Sequence, residues 1–78
     1  MLDKEFKYYI DNQDTLVKKY YDQYIVIKGE EVVGTYDSEI DAYEQSIKIH
    51  ELGKFLIQHC LPGEESYSTT YHSRVVLN

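Results

Sequence analysis

The stretch Tyr24-Ile25-Val26-Ile27-Lys28-Gly29-Glu30-Glu31-Val32-Val33-Gly34-Thr35-Tyr36 decides the fold. Apart from Lys28, its first five residues are β-branched or aromatic, which suits a strand. Gly29-Glu30 fits a two-residue hairpin loop with Gly at the first central position, the type II′ arrangement. Residues 31–36 return as a second strand. This register predicts Lys28 facing Glu31, Ile27 facing Val32 and Val26 facing Val33. Each such pair adds about 0.2–1 kcal/mol. Ile25, Ile27, Val32 and Tyr36 then share one face, and Tyr24, Val26 and Val33 share the other. A half-solvated antiparallel sheet alternates more cleanly than this. The hairpin asks for cover on both faces, and a second copy of the chain is the simplest candidate. Tyr24, Val26 and Val33 are accordingly expected at the interface of a homo-oligomer, a dimer.

Helical patterns flank the hairpin. Before it, Phe6, Tyr9, Ile10, Leu16, Val17 and Tyr20 fall on one side at a 3.6-residue period. Asp11-Asn12 interrupts them, leaving either one kinked helix over residues 3–21 or two short ones, with Asn12 capping the second. After the hairpin, Asp37-Ser38 supplies an N-cap, and Glu39 and Asp41 suit the positive end of a helix. Ile40, Tyr43, Ile47 and His50 mark the apolar side of this helix, with Ala42 nearby and Glu39, Asp41, Glu44, Gln45 and Lys48 opposite. Gly53 is its expected left-handed C-cap.

Residues 55–61 read as a third strand, ended by Pro62-Gly63. Residues 67–77 are rich in Thr, Tyr and Val and read as a fourth. The expected fold is α+β, a single domain over residues 1–78 in the order α-β-β-α-β-β. Its sheet is antiparallel or mixed, a single layer of three or four strands, with the helices packed on one face. The third strand fits either antiparallel beside the first or parallel beside the second, and the first placement is preferred.

A chain of 78 residues supports one domain with a marginal core. Its single cysteine, Cys60, allows no internal disulfide. Oligomerisation is the remaining supplement for so small a core. The formal net charge is −6, and residues 1–53 hold 12 acids against 6 bases. Nucleic acid and anionic membrane surfaces need the opposite balance. No apolar run reaches the ~20 residues of a membrane span. Residues 1–10 mix Asp3, Lys4, Glu5 and Lys7 into their apolar residues, unlike a signal peptide. The cytoplasm is the expected compartment.

Catalytic and metal signatures are weak. His59 and Cys60 are neighbours on a strand and point to opposite faces, so they do not converge on one ion. With His59 pointing to the opposite face and no helix start beside it, Cys60 shows nothing that would lower its thiol and reads as a buried structural residue. Asp37, Glu39, Asp41 and Glu44 are explained by a helix start and its solvated face. No cofactor or metal is expected, and an enzyme is less expected than a binding protein.

Two features point to binding. Nine tyrosines suit surfaces that are only partly buried, whether core rim or interface. Arg74, the sole arginine, lies among Tyr71, His72 and the hydroxyls of Ser66, Ser68, Thr69 and Thr70. A guanidinium there suits a bidentate carboxylate or phosphate, or a pairing within the fold.

The run at residues 24–38, then Ala42-Tyr43, Gly53-Lys54-Phe55-Leu56-Ile57-Gln58 and the closing Tyr71-His72-Ser73-Arg74-Val75-Val76 resemble a family of short uncharacterised bacterial proteins, a domain of unknown function. The resemblance covers nearly the whole chain. It implies a bacterial, cytoplasmic, compact α/β protein and carries over no catalytic residue. The expected function is therefore a non-enzymatic protein-interaction module that self-associates through its sheet. The alternative is an anionic-ligand binder or minor enzyme subunit, using residues 67–74 with Arg74, His72, Tyr71 and His59. A third reading, drawn from the acidic first two-thirds, is a partner of a basic protein.

Overall fold

The computed structural model describes residues 2–51, 53–63 and 70–72. In chain order the elements are α1 (Asp3–Asp11), α2 (Gln13–Tyr20), β1 (Tyr24–Lys28), β2 (Glu31–Tyr36), α3 (Glu39–Ile49), β3 (Leu56–His59) and β4 (Thr70–His72). The strands form one antiparallel sheet in the order β2-β1-β3-β4. The α+β class and the placement of β3 beside β1 agree with the sequence reading. Of the fourth strand expected over residues 67–77, only Thr70–His72 lies within the described residues.

The N-terminal helical region is two helices. Asn12 leaves helical geometry between them, and its Nδ2 donates to Tyr8 O at 2.9 Å. That bond satisfies a carbonyl at the end of α1, whereas no side-chain bond from Asn12 caps α2. Asn12 thus ends the first helix, where four carbonyls lack intrahelical partners.

The hairpin turn forms as read. Gly29 has φ +66 and Glu30 is not left-handed, as type II′ requires. Lys28 faces Glu31 and Ile27 faces Val32. Beyond that point the register departs from the expectation. Val26 faces Gly34, Ile25 faces Thr35 and Tyr24 faces Tyr36. Val33 is the extra residue of a bulge, which leaves it unpaired and bends an edge strand away from further pairing. One inserted residue also reverses the parity of everything after it. Tyr36 therefore joins Tyr24 and Val26, while Val33 drops out of the pairing.

The sheet is covered on both faces by helices of the same chain. Ile25, Ile27, Leu56 and Cys60 pack with Leu2, Tyr9 and Leu16 of the α1–α2 segment, flanked by Phe6, Tyr8, Val17, Tyr20 and Val32. On the other side Val26, Phe55 and Ile57 pack with Ala42 of α3, flanked by Tyr24, Tyr36 and Tyr43. The expectation that the helices lie on one face is corrected accordingly. The second apolar face of the hairpin needed cover, and α3 supplies it.

The α3 N-cap is as expected: Ser38 Oγ accepts from Asp41 N at 3.1 Å. Its C-terminus is earlier than expected. His50 is already extended, and Gly53, although left-handed at φ +88, lies in the turn that follows. Leaving the helix at His50 lets Phe55 return to the core under α3. Two polar ties fix the other layer. Glu5 Oε2 accepts the Gly29 amide at 2.8 Å, joining α1 to the hairpin turn. Gln13 Nε2 donates to the carbonyls of Leu61 and Gly63, each at 2.8 Å, holding the end of β3 against α2.

Candidate functional site

The feature least explained by folding is the outer flank of α3. A helix lying on a sheet approaches closely only if small residues face it. Here those residues are Ala42 and Ser46, one turn apart and both buried. Two of its isoleucines, Ile40 and Ile47, are displaced to the flank, while Ile49, on the Ala42 side at the last residue of the helix, is exposed as well. Ile40 is 65% exposed and Ile47 41% exposed, seven residues apart and so on one side of the helix. Tyr43, between them, straddles the boundary and packs on the core of Val26, Ala42, Phe55 and Ile57. The sequence reading places Ile40, Tyr43, Ile47 and His50 on the apolar side of this helix with Ala42 nearby, and the structure buries Ala42. Tyr43 packs on the same core and His50 is half-buried near the Phe55 ring, whereas Ile40 and Ile47 stay outside.

Charge surrounds this stripe unevenly. From residue 37 to residue 51 there are five acids, Asp37, Glu39, Asp41, Glu44 and Glu51, against the single base Lys48. Glu44 is four residues after Ile40 and three before Ile47, which places it on the same side of the helix. Asp41, Glu44 and Glu51 are exposed.

His59 forms a different arrangement. Its Nε2 lies 2.8 Å from Asp22 Oδ1, and its ring stacks on Tyr24 at 4.3 Å between centroids and 7° between planes. Asp22 is left-handed at φ 63, an uncommon conformation that Asp tolerates better than most residues. Its amide donates to Cys60 O, and Cys60 N donates to Gln23 O, each at 2.8 Å. The Asp22–His59 contact therefore closes the loop between α2 and β1 onto the end of β3. Tyr36, Tyr24 and His59 form one cross-strand row on the α3 face. An Asp–His pair becomes catalytic only with a nucleophile or substrate group beyond the imidazole. Among the described residues no group of three His, Cys, Asp or Glu side chains could hold a metal ion.

Cys60 is buried, and burial pushes its thiol up to about 11, so it stays a neutral core residue. A shallow depression of about 380 Å³ lies where α1 meets the hairpin tip, lined by Lys4, Lys7, Tyr8, Asp11, Asn12 and Glu30. Lys7 Nζ is bound to Asp11 at 2.7 Å, and that contact raises the ammonium above its ordinary value. Two cations and two anions leave the depression without a preferred ligand charge.

The remaining expected site residues separate. Tyr71 and His72 lie on β4, opposite Ile57 and Leu56. Arg74 and Tyr67 lie outside the described residues. Of the expected interface residues, Val26 is buried beneath α3, Tyr24 is half-buried against His59, and Val33 is exposed at the bulge. Six tyrosines, Tyr8, Tyr9, Tyr20, Tyr24, Tyr36 and Tyr43, pack on the two cores, while Tyr21 is exposed. The signal that identifies the outer stripe is present in the sequence as Ala42-Tyr43-Glu44-Gln45-Ser46, a small-residue spacing of four within an apolar helix.

Comparison with protein families, curated proteins and solved structures gave no match. The functional reading rests on the geometry.

Proposed function

We propose that this chain is a small non-enzymatic protein-interaction module that docks through the outer flank of α3. The observation that carries this reading is the exposure of Ile40 and Ile47 in one stripe on a helix that already has a separate buried side. Scattered apolar residues on a surface need no explanation, but aligned ones on one helix are a recognition pattern. Self-association was expected from the two-sided hairpin. The helices that cover both sheet faces remove that ground, and a second copy of the chain becomes one occupant to be tested at the α3 stripe.

The test compares the protein with its I40S/I47S variant. Both are immobilised and exposed to native lysate, and their sedimentation masses are measured at micromolar concentration. The reading predicts a specific protein, or a second copy, held by the parent and lost by the variant. Unfolding midpoints should stay matched. Identical retained proteins and identical single-chain masses for both forms would overturn it.

A further inference from the structure

Resting on that docking reading, we propose that the occupant of the α3 stripe is a basic amphipathic helix of another protein. The length of the stripe suits a helix. Ile40 and Ile47 are two turns apart, about 10 Å along the axis. That spacing matches apolar residues at i, i+3 or i+4, and i+7 of a partner helix. A stripe one residue wide suits a ridge rather than a broad sheet face.

Charge selects among the candidates. The segment 37–51 has a balance of −4, most of the chain's net charge of −6. Glu44 stands beside the stripe, Asp41 lies further round the same flank, and Asp37 and Glu51 mark its two ends. Lys48, one turn after Glu44, is the one base on this flank, so a partner with Lys or Arg flanking its apolar ridge meets opposite charge at Glu44 and Asp41 and at the Asp37 and Glu51 ends. Complementary potentials of this kind favour encounter and exclude like-charged competitors. Nucleic acid and anionic lipid carry the wrong sign.

A second copy meets a specific difficulty. In an antiparallel two-fold pairing, Ile40 of one chain meets Ile47 of the other. The symmetry axis then falls between Tyr43 and Glu44. Both Glu44 side chains lie close to that axis and toward the same end of it, so the two carboxylates are brought together across it. Isologous interfaces always repeat a residue against its symmetry mate near the axis. Here that residue is an acid within an acidic surround.

The probe is a synthetic helix of leucine on one face and lysine elsewhere, with a control in which glutamate replaces every lysine. Each is titrated into the isotopically labelled full chain at physiological ionic strength and followed by NMR. The lysine peptide should shift the resonances of Ile40, Tyr43, Glu44 and Ile47, and the glutamate peptide should not. The D41N/E44Q variant should bind the lysine peptide about threefold to tenfold more weakly, the range for two exposed charge pairs. Equal binding of both peptides at the stripe would overturn the basic partner and leave the docking reading standing. So would a two-chain sedimentation mass that falls to one in I40S/I47S. Shifts spread over other acidic surfaces without focus on α3, or no binding by either peptide, would overturn this inference. If the parent and I40S/I47S also retain the same lysate proteins, the docking reading falls with it.

Discussion

Val26 faces Gly34 across the hairpin, and Tyr36 lays its ring over the point a Cβ on Gly34 would occupy, 3.0 Å from Tyr36 Cε2. Without the bulge at Val33, Tyr36 would face the α1–α2 layer. With it, Tyr36 lies in the α3 core beside Tyr24 and Tyr43. Gly34 does not have a left-handed backbone, so the strand itself tolerates alanine. The Gly34→Ala cost comes from moving the ring, about 1–2 kcal/mol for a modest overpacking. Tyr36→Leu should relieve that clash, giving a coupling of about 0.5 kcal/mol or more in a double-mutant cycle by urea unfolding. Strict additivity would contradict the close approach of the Tyr36 ring to position 34.

The two flanks of α3 should respond oppositely to substitution. Ala42→Leu places three extra carbons between α3 and the Val26, Phe55 and Ile57 core. It should destabilise by about 1–3 kcal/mol. Ile40→Ser, on the exposed flank, should stay within about 0.5 kcal/mol. Chemical denaturation of the two variants decides the matter. A reversed order would mean that α3 buries its isoleucines instead.

Glu5 and Gly29 join helix to hairpin through one charged hydrogen bond. Hydrogen bonds to charged groups contribute about 1.5–3 kcal/mol when partly buried, and exposure reduces that range. Glu5→Ala should therefore cost about 1 kcal/mol. Hydrogen exchange of the Gly29 amide should accelerate in the variant. Unchanged protection there would show that the turn holds without α1.

Cys60 sets an alkaline limit. Its thiol is raised from an unfolded value near 9.0 to about 11 because burial disfavours the thiolate. The folded state therefore holds this proton more tightly than the unfolded state. The resulting stability is fully present below pH 9 and is lost as pH rises toward 11. Over that window the loss approaches about 1.4 kcal/mol per pH unit. Cys60→Ala removes this dependence while opening a small cavity. The stability gap between parent and variant should narrow steadily from pH 9 to 11. A constant gap would contradict the buried neutral thiol.

Much of this architecture is legible in the sequence. The Gly29-Glu30 turn, the Ser38 cap and the pairing of β3 with β1 follow from local chemistry and alternation. The bulge does not, because Val32-Val33 satisfies a regular two-residue period as well as an interrupted one. The orientation of α3 differs from its apolar pattern for a related reason. Ile40, Tyr43 and Ile47 form the stronger apolar stripe, yet Tyr24, Tyr36 and Phe55 already fill the sheet face. Bulk on the sheet side leaves room only for Ala42 and Ser46 on the helix side. The Asp22–His59 contact joins residues far apart in sequence through a left-handed backbone that no local pattern announces.

The exposed α3 stripe is tested most directly by thiol accessibility. Cys60 is buried, so it provides a silent background for cysteines introduced singly by I40C, I47C and A42C. Each protein is treated with a soluble thiol reagent under native conditions at micromolar concentration. The account predicts labelling at positions 40 and 47 at rates near those of an unfolded control, with position 42 protected together with Cys60. Protection at 40 and 47 with rapid labelling at 42 would contradict it.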